Sequence, residues 1–213
     1  MIKEFESGIQ EYKLGKLRKK DINPNPIVQF GKWLDEAISS QVMEPTAMTL
    51  ATATPDGKLS SRIVLLRELN DEGFIFYSSY KSWKGKQILL NHYGALSFYW
   101  PEVERQVRIE GYIKKVDSKT SDNYFSTRTK GRKLGAWIML QSRKIPNREY
   151  LENLYEEQKK QFAGKEIPRP LDWGGYILKP GRIEFWQGRE NRLNDRILYE
   201  KKNMRWQIHR LAP

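Results

Sequence analysis

Apolar residues fall at two spacings along this chain, and the changes of spacing predict its elements. From Pro26 to Gln41, the residues Ile27, Phe30, Trp33, Leu34, Ala37 and Ile38 recur three and four apart, as on one helix face. Pro26 suits the first turn of that helix, where its missing N–H is not needed. Short alternating or β-rich runs follow: MTLATAT, SSRIVLLREL and FIFYSS, separated by Pro55-Asp56-Gly57 and Asn70-Asp71-Glu72-Gly73. Those separators carry turn chemistry, so the stretch predicts a three-stranded meander. SWKGKQILLNH reads as a helix, and ALSFYW and RQVRIEGYIKKV as two more antiparallel strands, Val107, Ile109 and Ile113 sharing one face of the second.

Farther on, SKTSDNYFSTR predicts a helix capped by Asp117 or Ser118, and EYLENLYEEQKKQF a charged amphipathic helix ending near Gly164. The basic stretch between them, TKGRKLGAWIMLQSRKIP, has no clear period. The last third returns to strands: WGGYILK, a turn at Pro180-Gly181, RIEFWQG, then RILYEKKNMRWQIHRLAP with a turn near Lys202 and Asn203. Seven or eight strands with helices inserted between them predict an α+β, mainly β fold built on an antiparallel barrel. The first 25 residues are polar and basic and end in repeated Asn-Pro, which predicts a partly mobile arm; no linker or repeat divides residues 26–213, which are expected to form one domain.

Composition narrows the chemistry. Lys and Arg number 38 against 26 Asp and Glu, a formal charge of +12, which suits an anionic partner, either nucleic acid or a phosphorylated small molecule. There is no cysteine, so disulfides, thiolate metal sites and a cysteine nucleophile are excluded. His92 and His209 stand alone, without carboxylates at ligand spacing, which argues against a first-row metal site and a histidine-based triad. No dinucleotide fingerprint or phosphate-binding glycine loop is present. No segment approaches the roughly 20 apolar residues of a membrane span, and no secretory signal is seen, so a soluble cytoplasmic protein is expected.

What the chain does carry is arginine on strands, where a guanidinium fork is well placed to hold phosphate through paired charge-assisted bonds. This favours a small phosphorylated ligand over nucleic acid. If SRIVLLREL is extended, Arg62 points with Val64 and Leu66 while Ile63, Leu65 and Arg67 point oppositely, and either arginine could equally be a solvent charge. In NRLNDR, alternation puts Arg192, Asn194 and Arg196 on one side; a charged edge strand is the competing reading. Tyr124 and Arg128 lie four apart on one helix face and could reach one ligand or simply stack in solvent. Tyr77, Ser78 and Lys84 could supply hydroxyls, an ammonium and helix-start amides to a second anion, although Lys81, Lys84 and Lys86 also fit a solvated face. Trp186 could be core, and Gln106 and Gln141 are uninformative alone.

Taken together, PTAMTLATATPDG, RIVLLR, GFIFYSS, KQI, ERQVRIEG, YFSTR, GAWIMLQS, WGGYILKPGRIEFWQG, NRLNDR and WQIHRLAP resemble the pyridoxamine/pyridoxine 5′-phosphate oxidase family of flavin-dependent split barrels, in order from about Tyr12 to Pro213. The resemblance implies an antiparallel, Greek-key-type FMN-binding split barrel with peripheral helices. It also implies a homodimer with FMN at the subunit interface, oxidising pyridoxamine or pyridoxine 5′-phosphate to pyridoxal 5′-phosphate, with O2 as acceptor and H2O2 as product. By the same analogy Arg62, Ile63, Val64, Leu65, Arg67, Tyr77, Ser78, Lys84, Gln106, Gln141, Ser142, Trp186 and Arg196 would hold FMN. Arg67, Tyr124, Arg128 and Arg132 would hold the substrate phosphate, and Arg192, with Asn194, would lie at the substrate ring. The chain departs from the family pattern at Arg67 (usually Lys), Trp83 (often Arg), Arg132 (often Ser), Asn194 (His) and Gln10-Glu11-Tyr12 (often an Arg pair before Glu-Tyr).

Overall fold

The computed structural model describes residues 11–213; residues 1–10, the outer part of the predicted arm, lie outside the described residues. Among the described residues are nine strands and five α-helices. The strands are β1 (Ala47–Ala53), β2 (Leu59–Leu65), β3 (Glu68–Asn70), β4 (Gly73–Ser79), β5 (Tyr93–Trp100), β6 (Arg105–Lys115), β7 (Trp173–Gln187), β8 (Asp195–Lys202) and β9 (Arg205–Leu211). They form one sheet in the order β2-β1-β5-β6-β7-β4-β3, with β8 on β7 and β9 on β8. The helices are α1 (Pro26–Ser39), α2 (Trp83–Leu90), α3 (Ser118–Thr127), α4 (Lys130–Trp137) and α5 (Arg148–Gln161). The chain divides into two compact units: one holds residues through Pro45, Ser97–Ile109 and Gly181–Pro213, the other Thr46–Leu96 and Glu110–Pro180.

In the first unit α1 starts as its sequence predicts, with Pro26 in the first turn; the Asn25 side chain, not singled out from sequence, accepts the Ile27 N–H. Its apolar stripe is buried: Phe30 meets Phe98 edge-on at 4.9 Å and Trp33 meets Phe185 at 5.1 Å. Arg105 lies over the Trp33 ring at 4.4 Å and pairs with Glu36. Removing a side chain such as Phe30, which has no exposed surface, would cost about 3–5 kcal/mol. β8 pairs with the second half of β7 from Arg182↔Glu200 to Gln187↔Asp195, and β9 with β8.

In the second unit β1 pairs with β2, β3 with β4, and β4 with the first half of β7, from Phe74↔Leu178 to Ser79↔Trp173. Ser82 caps α2 by accepting the Gly85 N–H, and its hydroxyl donates to the Ser79 carbonyl, tying the helix start to the end of β4. Gly85 has to be glycine-sized, since a Cβ there would lie 2.2 Å from the Tyr80 carbonyl oxygen. Helices α3 to α5 close over a small core of Phe125, Leu134, Phe162, Ile167 and Trp173.

Three expectations need correction. The turn at Pro180-Gly181 does not form: β7 runs unbroken through it, and Pro180 falls between the β4 and β8 registers, where its missing N–H removes no bond to either. SSRIVLLREL is two strands rather than one, because the chain changes partner: the Leu66 N–H donates to Thr46, the Arg67 N–H to Ile75. The stretch without a period contains α4, whose one buried residue is Leu134.

Candidate active site

A cavity of about 790 Å³ opens in the second unit, lined from four directions. Ile63, Val64 and Leu65 of β2, with Arg67 beyond it, form one wall, and Tyr77 and Ser78 of β4 another. Lys84 enters from the first turn of α2, and Tyr124, Arg128 and Arg132 from α3 and α4. Gln141 and Arg143 follow on the loop after α4. No carboxylate lines it, and among the described residues none of Arg67, Lys84, Arg128 and Arg132 has an acidic partner. A cluster of cations without counter-charge is costly unless an anion joins it, so the cavity is built for a negatively charged ligand.

Of the three neighbouring lysines, Lys81 and Lys86 are exposed while Lys84 is buried. Lys84 Nζ donates to Ser78 Oγ at 3.2 Å, and Ser78 Oγ donates to Gln141 Oε1 at 3.1 Å. Burial, and secondarily the charge of Arg62, pushes the Lys84 ammonium down to about 8. Arg62 does not line the cavity. Its guanidinium donates to the Leu50 carbonyl, Thr52 Oγ1 and Ser60 Oγ, and Gln87 Oε1 of α2 accepts from both hydroxyls. The two arginines are separated, Arg62 into a polar network and Arg67 to the cavity wall, but not by strand alternation: β2 ends at Leu65, Arg67 follows the change of partner, and Val64 lines the cavity together with Ile63 and Leu65.

The aromatic side is a near-parallel stack. Tyr77 and Tyr124 lie 3.8 Å apart and 12° from parallel, with Trp173 at 5.5 Å from Tyr77 and Arg128 over the Trp173 ring at 4.4 Å. Burial, followed by the hydrogen bond to Glu68 (2.6 Å), raises the Tyr77 phenol, which stays neutral. The Arg128 guanidinium is lowered chiefly by burial; Tyr124 acts the other way, and the neighbouring charges of Arg132 and Arg67 add smaller lowering contributions. Trp173, Arg143 and the Ile138–Leu140 segment were not picked out from sequence; Trp173 carried a signal only as one of seven tryptophans.

The remaining predicted residues sit elsewhere. Ser142, exposed, follows Gln141 with a left-handed φ of 69°. Gln106, Trp186, Arg192, Asn194 and Arg196 belong to the first unit. There Arg196 donates to the buried Glu184 at 2.8 Å and to the Ala212 carbonyl, and Asn194 Oδ1 accepts the Arg189 N–H. Arg192 is exposed and has no carboxylate or carbonyl partner among the described residues.

Comparison with known proteins settles the family. Residues 34–160 match the model described as pyridoxamine 5′-phosphate oxidase, and 173–213 that of the pyridoxine 5′-phosphate oxidase C-terminal dimerisation region. The chain belongs to the pyridoxamine 5′-phosphate oxidase family. Among its relatives, the pyridoxine/pyridoxamine 5′-phosphate oxidase of Cyanothece sp. (strain PCC 7425) is 47% identical over 96% of each chain. That of Rubrobacter xylanophilus is 48% identical over 96% of this chain and 94% of its own. A solved structure, PhzG from Burkholderia lata 383 in complex with tetrahydrophenazine-1-carboxylic acid, is 30% identical with a TM-score of 0.88, covering 94% of this chain and 99% of that one. The fold is accordingly the antiparallel split barrel of the pyridoxamine 5′-phosphate oxidases, with peripheral helices. Within it the departures from the family pattern fall differently. Arg67 and Arg132 keep or add positive charge at the cavity, whereas Trp83 is 51% exposed and outside the lining. Among the described residues no helix is long and apolar enough to cross a membrane.

Proposed function

We propose that the protein oxidises pyridoxamine and pyridoxine 5′-phosphates to pyridoxal 5′-phosphate, using FMN, with O2 as electron acceptor and H2O2 as product, in cytoplasmic vitamin B6 salvage. The observation that carries this reading is the cavity in which Lys84, Arg67, Arg128 and Arg132 gather without a carboxylate beside stacked aromatic rings. The near-full-length identity to named oxidases supports the same conclusion.

The residues present fit FMN. Lys84, Ser78, Tyr77 and Gln141 offer an ammonium, hydroxyls and an amide to its phosphate, and a bound dianion would relieve the burial that depresses Lys84. Arg62, held by Leu50, Thr52 and Ser60, adds its charge near Lys84, while Ile63, Val64 and Leu65 provide wall for the ring. When bound, FMN supplies a two-electron acceptor that O2 can reoxidise. The chain's own residues bind and orient: Arg67, Arg128 and Arg132 with Tyr124 hold the substrate phosphate, and remote phosphate binding fixes the reacting carbon where hydride can leave it.

Gln106, Ser142, Trp186, Arg192, Asn194 and Arg196 complete the site in a homodimer with FMN at the subunit interface, each site drawing on both chains; residues 26–213 act as one functional domain. A test is peroxide release on adding pyridoxamine 5′-phosphate in air to FMN-loaded protein. Flavin binding without peroxide would leave a B6-phosphate or flavin binding protein instead, and failure to take up FMN at all would refute the oxidase and the flavin-binding reading alike.

A further inference from the structure

The loop between β7 and β8 carries Arg192 on two successive left-handed residues, Asn191 (φ 54°) and Arg192 itself (φ 58°). Such backbone at non-glycine positions is costly and persists only where its surroundings hold it. Here the surroundings can be named. Asn194 Oδ1 accepts the Arg189 backbone N–H at 3.0 Å and so closes the loop across its base. The Arg189 guanidinium then donates to the Gly15 carbonyl at 2.9 Å. Asp195 accepts the Leu17 N–H at 3.0 Å on one oxygen and the Arg210 guanidinium at 2.6 Å on the other, while Arg210 donates onward to the Leu17 carbonyl at 2.9 Å. Packing follows the same line. Tyr12 stands edge-on to Trp186 at 5.5 Å, and Gly15 runs so close to Gln187 that a Cβ would sit 2.7 Å from its amide oxygen.

We infer that the Tyr12–Leu17 segment, with Arg189, Asn194 and Asp195, is a clamp that fixes the loop presenting Arg192, so that Arg189 and Asn194 are positioning residues acting through Arg192. This deepens the function above and rests on its reading of Arg192 as a substrate contact. A solvent-exposed arginine loses rotamer freedom when it engages a ligand, and a backbone already held in place lowers that cost. The clamp spends polar groups on the loop's base and leaves the Arg192 side chain unengaged. Asn194 suits the task because its side-chain oxygen accepts from the loop at any pH near neutrality, whereas an imidazole would gain and lose a proton there. Arg189, whose sequence context gave it no role, becomes the link between arm and loop.

The test is a double-mutant cycle on FMN-loaded, full-length protein with pyridoxamine 5′-phosphate. Arg189→Met and Asn194→Ala are each made alone and together with Arg192→Ala, reading kcat, KM and FMN affinity. Each single change is expected to lower kcat/KM about tenfold and to add less than about twofold once Arg192 is already alanine. FMN affinity should stay within about twofold throughout, and Arg189→Lys, which keeps a donor for the Gly15 carbonyl, should recover most of the loss. Equal losses in both backgrounds would overturn the inference, because the residues would then act independently of Arg192. Loss of FMN in Arg189→Met would also overturn it, by assigning the residue to the fold. A distinguishable outcome is an Arg192→Ala enzyme with undiminished kcat/KM, which would overturn the reading of Arg192 beneath the inference.

Discussion

The cations of the two units are used in opposite ways. Around the β7–β8 loop almost every arginine is answered: Arg196 by Glu184, Arg210 by Asp195, and Arg189 by the Gly15 carbonyl and, at 3.9 Å, by Asp195. In the cavity of the second unit Arg67, Arg128, Arg132 and Lys84 have no acidic partner among the described residues, and Arg132 and Arg67 act repulsively on Arg128. Paired cations hold a structure together, whereas an unpaired cluster stores an unfavourable interaction that a ligand can reverse. The same residue type therefore signals architecture where it is paired and binding where it is not, and the counter-charge, not the arginine, tells them apart.

The largest effect expected from this contrast comes from placing the missing carboxylate in the cavity. Arg128→Glu should lower kcat/KM for pyridoxamine 5′-phosphate at least about a thousandfold, since it replaces a charge-assisted contact with repulsion. FMN retention in that variant, read by fluorescence quenching, should change little. Next is Lys84→Met, expected to weaken FMN about thirtyfold by removing one charge-assisted bond.

Lys84 also sets a pH dependence. Its folded value, about 8, lies below that of an unfolded lysine, and a bound phosphate would raise it again. FMN affinity should therefore be level below pH 8 and fall as pH rises above it, with no such fall in Lys84→Arg over the same range; a level wild-type profile would contradict the assignment. Without FMN the sign reverses. Above pH 8 and up to the ordinary lysine value the unfolded chain holds the extra proton, so the Lys84 contribution to stability rises with pH there.

Smaller effects separate architecture from binding. Arg196→Met strips the main partner from a buried carboxylate, leaving Arg108 at 3.6 Å, and should cost about 2 kcal/mol of stability by denaturant titration. Arg128→Met should cost the FMN-free protein less than that, because it removes like-charge repulsion along with a contact to Trp173. Arg18→Ala, which breaks an exposed pair with Asp21, should stay within about 0.5 kcal/mol.

How much of this was legible in the sequence depends on what local pattern can encode. α1 and its first turn were, because Pro26 and the apolar stripe from Ile27 to Ile38 need no distant partner to declare a face. Strand alternation expected Arg62 and Arg67 on opposite faces of one strand; they are separated because the strand ends at Leu65, and Arg62 is drawn into its network by Thr52 and Ser60, which local pattern does not show. α4 was hidden since Gly131 and Gly135 weaken its propensity and its one buried residue, Leu134, belongs to a cluster completed by Phe125, Phe162, Ile167 and Trp173 from other segments. Pro180 read as a turn because a strand that changes partners midway leaves no trace in a period of two. The arginines of NRLNDR looked alike in sequence and differ in the fold, Arg196 paired and Arg192 not, because Glu184 comes from the neighbouring strand.

Recognition of a phosphorylated substrate beside FMN by the unpaired cations of the cavity can be read from the flavin itself. The most direct measurement is anaerobic titration of the FMN-loaded protein while following the visible flavin absorbance. Bleaching is expected from pyridoxamine 5′-phosphate at near-stoichiometric amounts and none from matched concentrations of unphosphorylated pyridoxamine. Equal bleaching by the two compounds, or none by either, would contradict it.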